Sequence, residues 1–424
     1  MQRLKKRVVI LGGGPTGLAA ADVLSHDCDV TLFEVTGELG GLAGSFFQDG
    51  HPIPKFYHHI FAHDLITLHY LQRYGERENM VWQRIKMCIL TNGKLYNFTD
   101  PLSLLRFDYL SLWGRFRYGL FGVYVLGFLH PEKISDDCDA QHWLVRYAGK
   151  EVTDKLFYQL QGRNKFGITL DKISAKQFAH RLKAGEAWGT FGFPRKGYQV
   201  IVDGLAQELR SRDVEIILST AVTSVDVDKK VVFFKNQSLS YDALITTIPV
   251  PVMLQLTKGL PPEYVQQLSR VEYCPVVSVI FGAKEFLSPH YWLNVLHERI
   301  HMIVQHSQLY DGYPQKVIWA SRYGNSIEDF TLSDDALREV YLGVVRKYFP
   351  SVDVIWSKVF RNKYAEPIYT KDYPTFQPQY RTPISSLYWA GIAVTYPEIR
   401  NTNTALISGH HVAELVLADF RKNA

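Results

Sequence analysis

The sequence predicts an α/β protein: a discontinuous, doubly wound, Rossmann-like layer with an inserted helical region and a further sheet. Three observations predict it. A strand, a glycine turn, a helix, a second strand and an acid follow one another over residues 8–34. A strand running into a glycine turn and an amphipathic helix recurs at the far end, over 387–417. Between them lie a long helical pattern and several strand-like runs, so the segment that closes the chain completes the layer that opens it.

The first unit reads Val8-Val9-Ile10-Leu11-Gly12-Gly13-Gly14-Pro15-Thr16-Gly17. Gly12 allows the tight turn, Gly14 lets a pyrophosphate approach the backbone, and Gly17 lets the helix beginning at Pro15 and Thr16 pack on the strand. The helix N-terminus offers unpaired N–H groups and a positive dipole end to phosphates. A second strand ends at Glu34, where a carboxylate can accept hydrogen bonds from both ribose hydroxyls. A bare glycine pattern is weak. The apolar strand before it, the Ala-rich helix after it and the acid at this distance make it a dinucleotide site.

A second glycine-rich turn, with Gly40 and Gly41, follows over 37–45. From 65 to 177 the pattern is mostly helical. Residues 192–198 read as a loop, 200–210 as a helix, 214–218 as a strand, and 222–227 with 231–234 as a hairpin. A buried strand is expected over 241–248, others over 276–281 and 317–321, and a helix over 332–348 with Ser333 as its cap. The closing helix is expected over 404–417.

The net charge of +5 is mild and scattered, with one short cluster at Arg3, Lys5, Lys6 and Arg7, so nucleic acid is not an expected partner. Four separated cysteines (Cys28, Cys88, Cys138 and Cys274) form no CxxC pair and fit a reducing compartment, hence the cytoplasm. The apolar run after the basic N-terminus is only 8–11, too short for a signal peptide. The longest run elsewhere, 120–129, is too short to span a bilayer. With Leu110, Leu112, Trp113 and Phe116 before it, this stretch reads either as a buried helix pair or as a peripheral membrane patch.

Gly12 to Gly17, Glu34, Gly40-Gly41, Gly197-Tyr198 and the 387–391 turn with its closing helix resemble the FAD-dependent amine oxidase, protoporphyrinogen oxidase and phytoene desaturase superfamily. The resemblance implies FAD as cofactor and a glutathione-reductase type FAD-binding domain. It implies that residues 1–62, 190–250 and 384–424 form that domain, that 63–189 is a mainly helical insertion, and that 251–383 is a substrate-binding α+β region. The family usually has Arg after the Gly-Gly turn. Here Leu42 stands there, which leaves the backbone of Leu42 and Ala43 to contact the cofactor. The resemblance also implies that Val222 holds the adenine through its backbone. It further implies that Gly391 and the last helix's N-terminus, with Asn403 and Thr404, face the flavin ring. A helix N-terminus there would stabilise the negative charge of reduced flavin, while Asn401-Thr402-Asn403-Thr404 also reads as an N-cap cluster. NAD(P) in place of FAD is the alternative for the first motif alone. The Gly40-Gly41 turn and the C-terminal ending favour FAD.

A narrower resemblance links 55–61 and 93–98 to UDP-galactopyranose mutases. It implies that His59 lies beside the flavin and that Arg181 matches an arginine that binds sugar-nucleotide phosphates. Against it, 301–306 lacks the second phosphate-binding arginine and Ile392 stands where those mutases have Arg. His297-Glu298-Arg299-Ile300-His301 matches the HExxH zinc pattern. Its flanks read as strand, turn, strand, on which the two histidines would not converge, so no metal is expected.

The expected function is hydride transfer from a small molecule to flavin N5, with His59 and Arg181 on the substrate side. Aromatic residues make up 13 % of the chain, which favours a large apolar pocket and a hydrophobic, lipid-linked or sugar-linked substrate. Two alternatives stand beside it: a non-redox mutase that acts through reduced flavin, and a catalytically silent, membrane-associated flavoprotein. Oxygen, a quinone or NAD(P) could accept the electrons.

Overall fold

The computed structural model describes residues 5–97, 101–185 and 189–422. Arg3 of the basic cluster and Phe98 of the mutase-like segment lie outside these. The opening strand β1 (Lys6–Leu11), the helix α1 (Pro15–Leu24) and the strand β2 (Cys28–Phe33) fold as the glycine pattern requires. β1 sits at the centre of a five-stranded parallel sheet. On one side it pairs with β2, which pairs with Glu215–Ile217; on the other it pairs with Ala243–Thr246, which pairs with Leu387–Trp389. Strands from both ends of the chain thus share one sheet.

Alternate residues of β1 build two cores. Val8 and Ile10 pack with Leu18 of α1 and with Leu406 and Val412 of the closing helix, Thr402–Lys422. Val9 and Leu11 pack on the opposite face with Val225, Val232 and Val250. That face is covered by the antiparallel meander Val222–Asp226, Val231–Phe234 and Gln237–Ser240. Each β1 valine or isoleucine is fully buried, which stabilises the layer by roughly 1.5–3 kcal/mol per side chain.

A seven-stranded sheet forms the second layer, in the order Val354–Pro367, Tyr273–Ala283, Lys316–Tyr323, Met302–Gln305, Trp292–Val295, Met87–Thr91 and Lys94–Asn97. Val277, Val279 and Phe281 pack under the helix Asp334–Tyr348, which Ser333 caps by accepting from the Ala336 N–H. The expectation of a helical pattern from 65 onward needs correction. Met80–Arg84, Met87–Thr91 and Lys94–Asn97 are strands. Met87-Cys88-Ile89-Leu90-Thr91 is buried on both faces, so it shows no alternation, and only its pairing with Trp292–Val295 makes it a strand. The segment expected as a loop at 192–198 begins as the strand Thr190–Pro194, paired with Met80–Arg84.

The reading of 110–129 as a buried helix pair is also corrected. The helix Leu112–Gly127 buries Gly114, Phe121 and Val125 but exposes Leu112, Trp113, Phe116, Leu120, Val123 and Leu126. Their spacing of three and four residues places them on one solvent-facing stripe. Among the described residues no helix is long and apolar enough to cross a membrane.

Candidate active site: a nucleotide cleft joined to an apolar cavity

The carboxyl ends of the parallel strands open into a cleft of about 560 Å³. This is where open α/β sheets bind ligands. Gly12 adopts φ +110°, and a Cβ there would meet Thr247 Oγ1 at 2.4 Å. A Cβ on Gly17 would lie 2.0 Å from the Gly12 carbonyl oxygen, so only glycine lets α1 approach the turn. Gly14 differs, because a Cβ there would meet nothing within 4 Å. It faces the open cleft and precedes α1 without a side-chain cap, which leaves the first-turn N–H groups of the helix to a ligand. Pro15 and Thr16 line the same wall.

Glu34 is buried and already engaged. Its Oε2 accepts from Gly13 N at 2.8 Å, and its Oε1 accepts from Thr36 N and Thr36 Oγ1, both at 2.9 Å. A carboxylate has about four lone-pair sites, so room remains for about one ribose hydroxyl rather than two. The second glycine turn braces the first: Gly40 N donates to the Gly13 carbonyl at 2.9 Å. Gly41, Leu42 and Ala43 then line the cleft, while Gly40 lies behind it.

At the other end of the cleft, Gly391 lines the wall and its N–H donates to Ser408 Oγ at 2.8 Å. The helix beside it presents Asn401 and Thr402 to the cleft, not Asn403 and Thr404. Asn403 turns outward, and its Oδ1 accepts from Ile66 N and Thr67 N at 3.1 and 3.2 Å, holding the start of the helix Leu65–Arg73. The Thr404 N–H is taken by Asn401 Oδ1 at 2.7 Å. Successive helical residues point about 100° apart, so four neighbours cannot all face one ligand. Val222 likewise packs into the core below the cleft rather than lining it. Thr220, two residues earlier, donates its N–H to the Glu34 carbonyl at 3.0 Å.

Tyr57, His58 and His59 form the side wall of the cleft. The His59 ring stacks on Phe191 with centroids 3.7 Å apart, and its buried Nδ1 has no protein partner. Burial, reinforced by His58, pushes the His59 imidazole down to about 3. Burial, and then Arg400, pushes His58 down to about 4. Both rings are therefore neutral near neutral pH.

A second cavity, of about 670 Å³, meets this cleft at Tyr57, Lys165 and Arg181. Its walls are mostly apolar, with Phe121, Leu156, Phe157, Leu160, Phe178 and Met302 among them. The helix Thr153–Phe166 has π geometry, and its wider turns bring Leu156, Leu160, Gln161, Asn164 and Lys165 to one wall. Val123 and Leu126, on the exposed stripe of Leu112–Gly127, line the outer part of the cavity.

At the junction, Glu366 is only 2 % exposed and is surrounded by cations. Arg181 Nη2 lies 2.6 Å from its Oε1, Lys165 Nζ 2.8 Å from its Oε2, and Arg400 Nε 3.5 Å from the same oxygen. Burial would raise the Glu366 carboxyl, but Lys165, Arg181 and Arg400 hold it down at about 2. Of this group the sequence reading contained Arg181 alone. Arg400 adjoins the Asn401 cluster, whereas nothing in the local sequence marks Lys165 or Glu366.

The HExxH segment is a turn between the strands Trp292–Val295 and Met302–Gln305, as its flanks indicated. Glu298 pairs with Lys347 at 2.5 Å, and His301 Nδ1 accepts from Tyr323 N at 3.3 Å.

A model of the flavin-containing amine oxidoreductases matches residues 15–417. The chain belongs to that family. Coproporphyrinogen III oxidase of Staphylococcus aureus is 23 % identical over 295 residues, which cover 59 % of this chain and 62 % of that protein. Protoporphyrinogen oxidase 2 of Arabidopsis thaliana is 26 % identical over 334 residues, covering 65 % and 64 %. The chain thus spans less than two thirds of these curated relatives. A crystal structure of reduced UDP-galactopyranose mutase shares the fold, with a TM-score of 0.77, 19 % identity, and 98 % and 94 % of the two chains covered. The cofactor of the flavin-containing amine oxidoreductases is FAD, and the cleft fits it. Gly14 leaves space for a pyrophosphate, α1 presents N–H groups, Glu34 retains acceptor capacity, and Gly391 with Asn401 and Thr402 lines the far end.

Proposed function

We propose that this protein is an FAD-dependent oxidoreductase that removes a hydride from a hydrophobic, lipid-linked or sugar-linked small molecule. One observation carries the reading. The apolar cavity of about 670 Å³ ends at Tyr57, Lys165 and Arg181, which also wall the cofactor cleft. FAD, when bound, supplies the hydride acceptor at N5. The protein's own residues bind, orient and exclude water. Phe121, Phe157 and Leu160 enclose an apolar body. Tyr57 and Trp292, packed edge to face at 4.7 Å, form the wall nearest the cleft. His59 is held flat by Phe191 and stays neutral, so it orients groups rather than carrying a charge. The N-terminal end of the helix at Asn401 and Thr402 favours negative charge in that part of the cleft.

The exposed stripe of Leu112–Gly127 supports a peripheral membrane contact. Trp113 is 66 % exposed and Phe116 58 %, and the stripe continues into the cavity through Val123 and Leu126. Arg106 is exposed beside it and suits an anionic headgroup layer. A lipid-borne substrate would then pass from bilayer to cavity without crossing water.

The test is anaerobic mixing of the oxidised holoprotein with lipid and aqueous fractions of a cell extract, following the flavin absorption band. Bleaching by the lipid fraction is the expected result. Bleaching by the aqueous fraction alone would overturn the hydrophobic substrate. No bleaching by any fraction, with flavin bound, would overturn the redox role and leave the reduced-flavin mutase or the silent flavoprotein. Re-oxidation by oxygen, a quinone or NAD(P) then identifies the acceptor. Sedimentation with anionic vesicles, lost in a Trp113→Ser, Phe116→Ser variant, tests the membrane contact separately.

A further inference from the structure

Two asparagines line the apolar cavity, and they differ in how their amides are satisfied. Asn294, on the strand Trp292–Val295, is used at both ends. Its Nδ2 donates to the Cys88 carbonyl at 3.3 Å, and its Oδ1 accepts from Trp292 Nε1 at 3.2 Å. Asn164, on the π-wound helix Thr153–Phe166, is used at one end. Its Nδ2 donates to the Val295 carbonyl at 2.9 Å, and its Oδ1 accepts from no donor among the described residues. The Val295 contact fixes which end of the amide is which, because a carbonyl oxygen only accepts. Oδ1 is therefore an acceptor left to the cavity. Asn164 is 5 % exposed, so bulk water does not serve it, and a buried acceptor without a donor is costly. Three residues earlier on the same helix, Gln161 lines the same cavity, and its buried Oε1 also has no partner. Among the described residues that line the cavity none is acidic. His301 there accepts from Tyr323 N through Nδ1 and is pushed down to about 4, chiefly by burial, so it is neutral. Lys165, which follows Asn164 directly, brings an ammonium to the same cavity and disfavours a second cation beside Oδ1.

We infer that Asn164 Oδ1 reads the substrate, and that the substrate carries an uncharged N–H or O–H donor on its apolar body. Asn164 adjoins Lys165, which also walls the cofactor cleft, so the donor is held near the end of the cavity that meets the cleft. A site built to accept from a substrate N–H or O–H rejects the analogue that lacks it, because the acceptor is then buried unpaired. Asn164 thereby sets both the identity and the orientation of the bound molecule. The Gln161 amide, which no protein group fixes, adapts to a second polar atom of the same molecule. This deepens the proposed function and rests on its reading of the apolar cavity as the substrate site.

The test measures binding to the oxidised holoprotein without turnover, by calorimetry and by the flavin spectrum. Each donor is compared with a donor-free compound of the same shape: indole with benzofuran for N–H, and 2-naphthol with 2-fluoronaphthalene for O–H. At least one donor is expected to bind about tenfold more tightly than its counterpart, and the pair with the larger ratio names the donor. Asn164→Leu is expected to bring that ratio within twofold by weakening the donor compound while the donor-free one binds as before. A crystal structure of the wild-type holoprotein with 6-bromo-2-naphthol keeps the test decisive should Asn164→Leu fail to fold. The bromine signal is expected inside the cavity, with the hydroxyl at hydrogen-bond distance from Asn164 Oδ1. A ligand inside the cavity with only water on Oδ1 would overturn the inference. So would ratios near one for both pairs, or a ratio that survives Asn164→Leu, even where lipid extract bleaches the flavin and the proposed function stands. Binding of 2-naphthylmethylammonium as tight as that of 2-naphthol would overturn the uncharged donor. If none of these compounds enters the cavity and lipid extract leaves the flavin oxidised, the reading of the cavity as the substrate site fails, and the inference with it.

Discussion

Arg181 Nη2 lies 2.6 Å from Oε1 of Glu366, joining the helix Ala175–Lys183 to the edge strand Val354–Pro367 of the seven-stranded sheet. The pair is buried at the meeting point of the two cavities, and Lys165 and Arg400 complete it.

Removing the charge of Glu366 leaves three cations without their carboxylate. Glu366→Gln is expected to destabilise the holoprotein by about 3–5 kcal/mol at pH 7, read as a lower urea midpoint. The carboxyl is depressed from its ordinary 4.5 to about 2 in the folded protein. Its contribution is therefore complete above pH 4.5 and is lost as the pH falls towards 2. The gap between wild type and Glu366→Gln should narrow over that window, as unfolding measured at several pH values will show.

Two glycines of the first turn should fail differently. Gly17→Ala places a methyl group 2.0 Å from the Gly12 carbonyl and should prevent α1 from seating, with loss of folded yield. Gly14→Ala meets open space and should fold with unchanged urea stability in the apoprotein. It should nevertheless lose FAD on gel filtration, because the methyl group occupies the cofactor's approach. Equal FAD retention by Gly14→Ala and wild type would contradict the placement of the pyrophosphate.

The buried histidines make a prediction about pH. His58, His59 and His306 are pushed down to about 4, 3 and 3, with burial the first cause in each case. They stay neutral from pH 5 to 9, so the rate of flavin reduction should show no step near 6.5 from these rings. Their depressed values also give stability that is full above pH 6.5 and declines as the pH falls through 4 to 3. Stopped-flow reduction across this range checks the first statement. A step near 6.5 that disappears in His59→Gln would contradict it.

Asn403 should matter for stability and not for the cofactor. Its side chain accepts from Ile66 N and Thr67 N, so Asn403→Ala should cost about 0.5–2 kcal/mol, the range of a lost helix cap. FAD affinity should stay within twofold of wild type. Thr402, which lines the cleft, should show the reverse when enlarged to Leu. Thermal unfolding and flavin titration of both variants separate the two roles.

Local sequence alone determined the nucleotide half of this protein. The turn from Gly12 to Gly17 and the acid at Glu34 are legible because their geometry is set within a few residues, by φ, by close approach and by strand length. The Ser333 cap and the 222–234 hairpin are legible for the same reason. The tertiary structure decided what depends on partners distant in sequence. Met87–Thr91 is a strand because Trp292–Val295 lies beside it, not because of any period of its own. Asn401 rather than Asn403 faces the cleft because Leu65–Arg73 claims the other side of the helix. Leu112–Gly127 turns an apolar stripe to solvent because Phe121 and Val125 already fill its core-facing side. Lys165, Arg181, Glu366 and Arg400, more than two hundred residues apart at the extremes, become one charge cluster only when the sheet, the π-wound helix and the closing segment meet. Electrostatic attraction and burial act through space, so no spacing along the chain announces them.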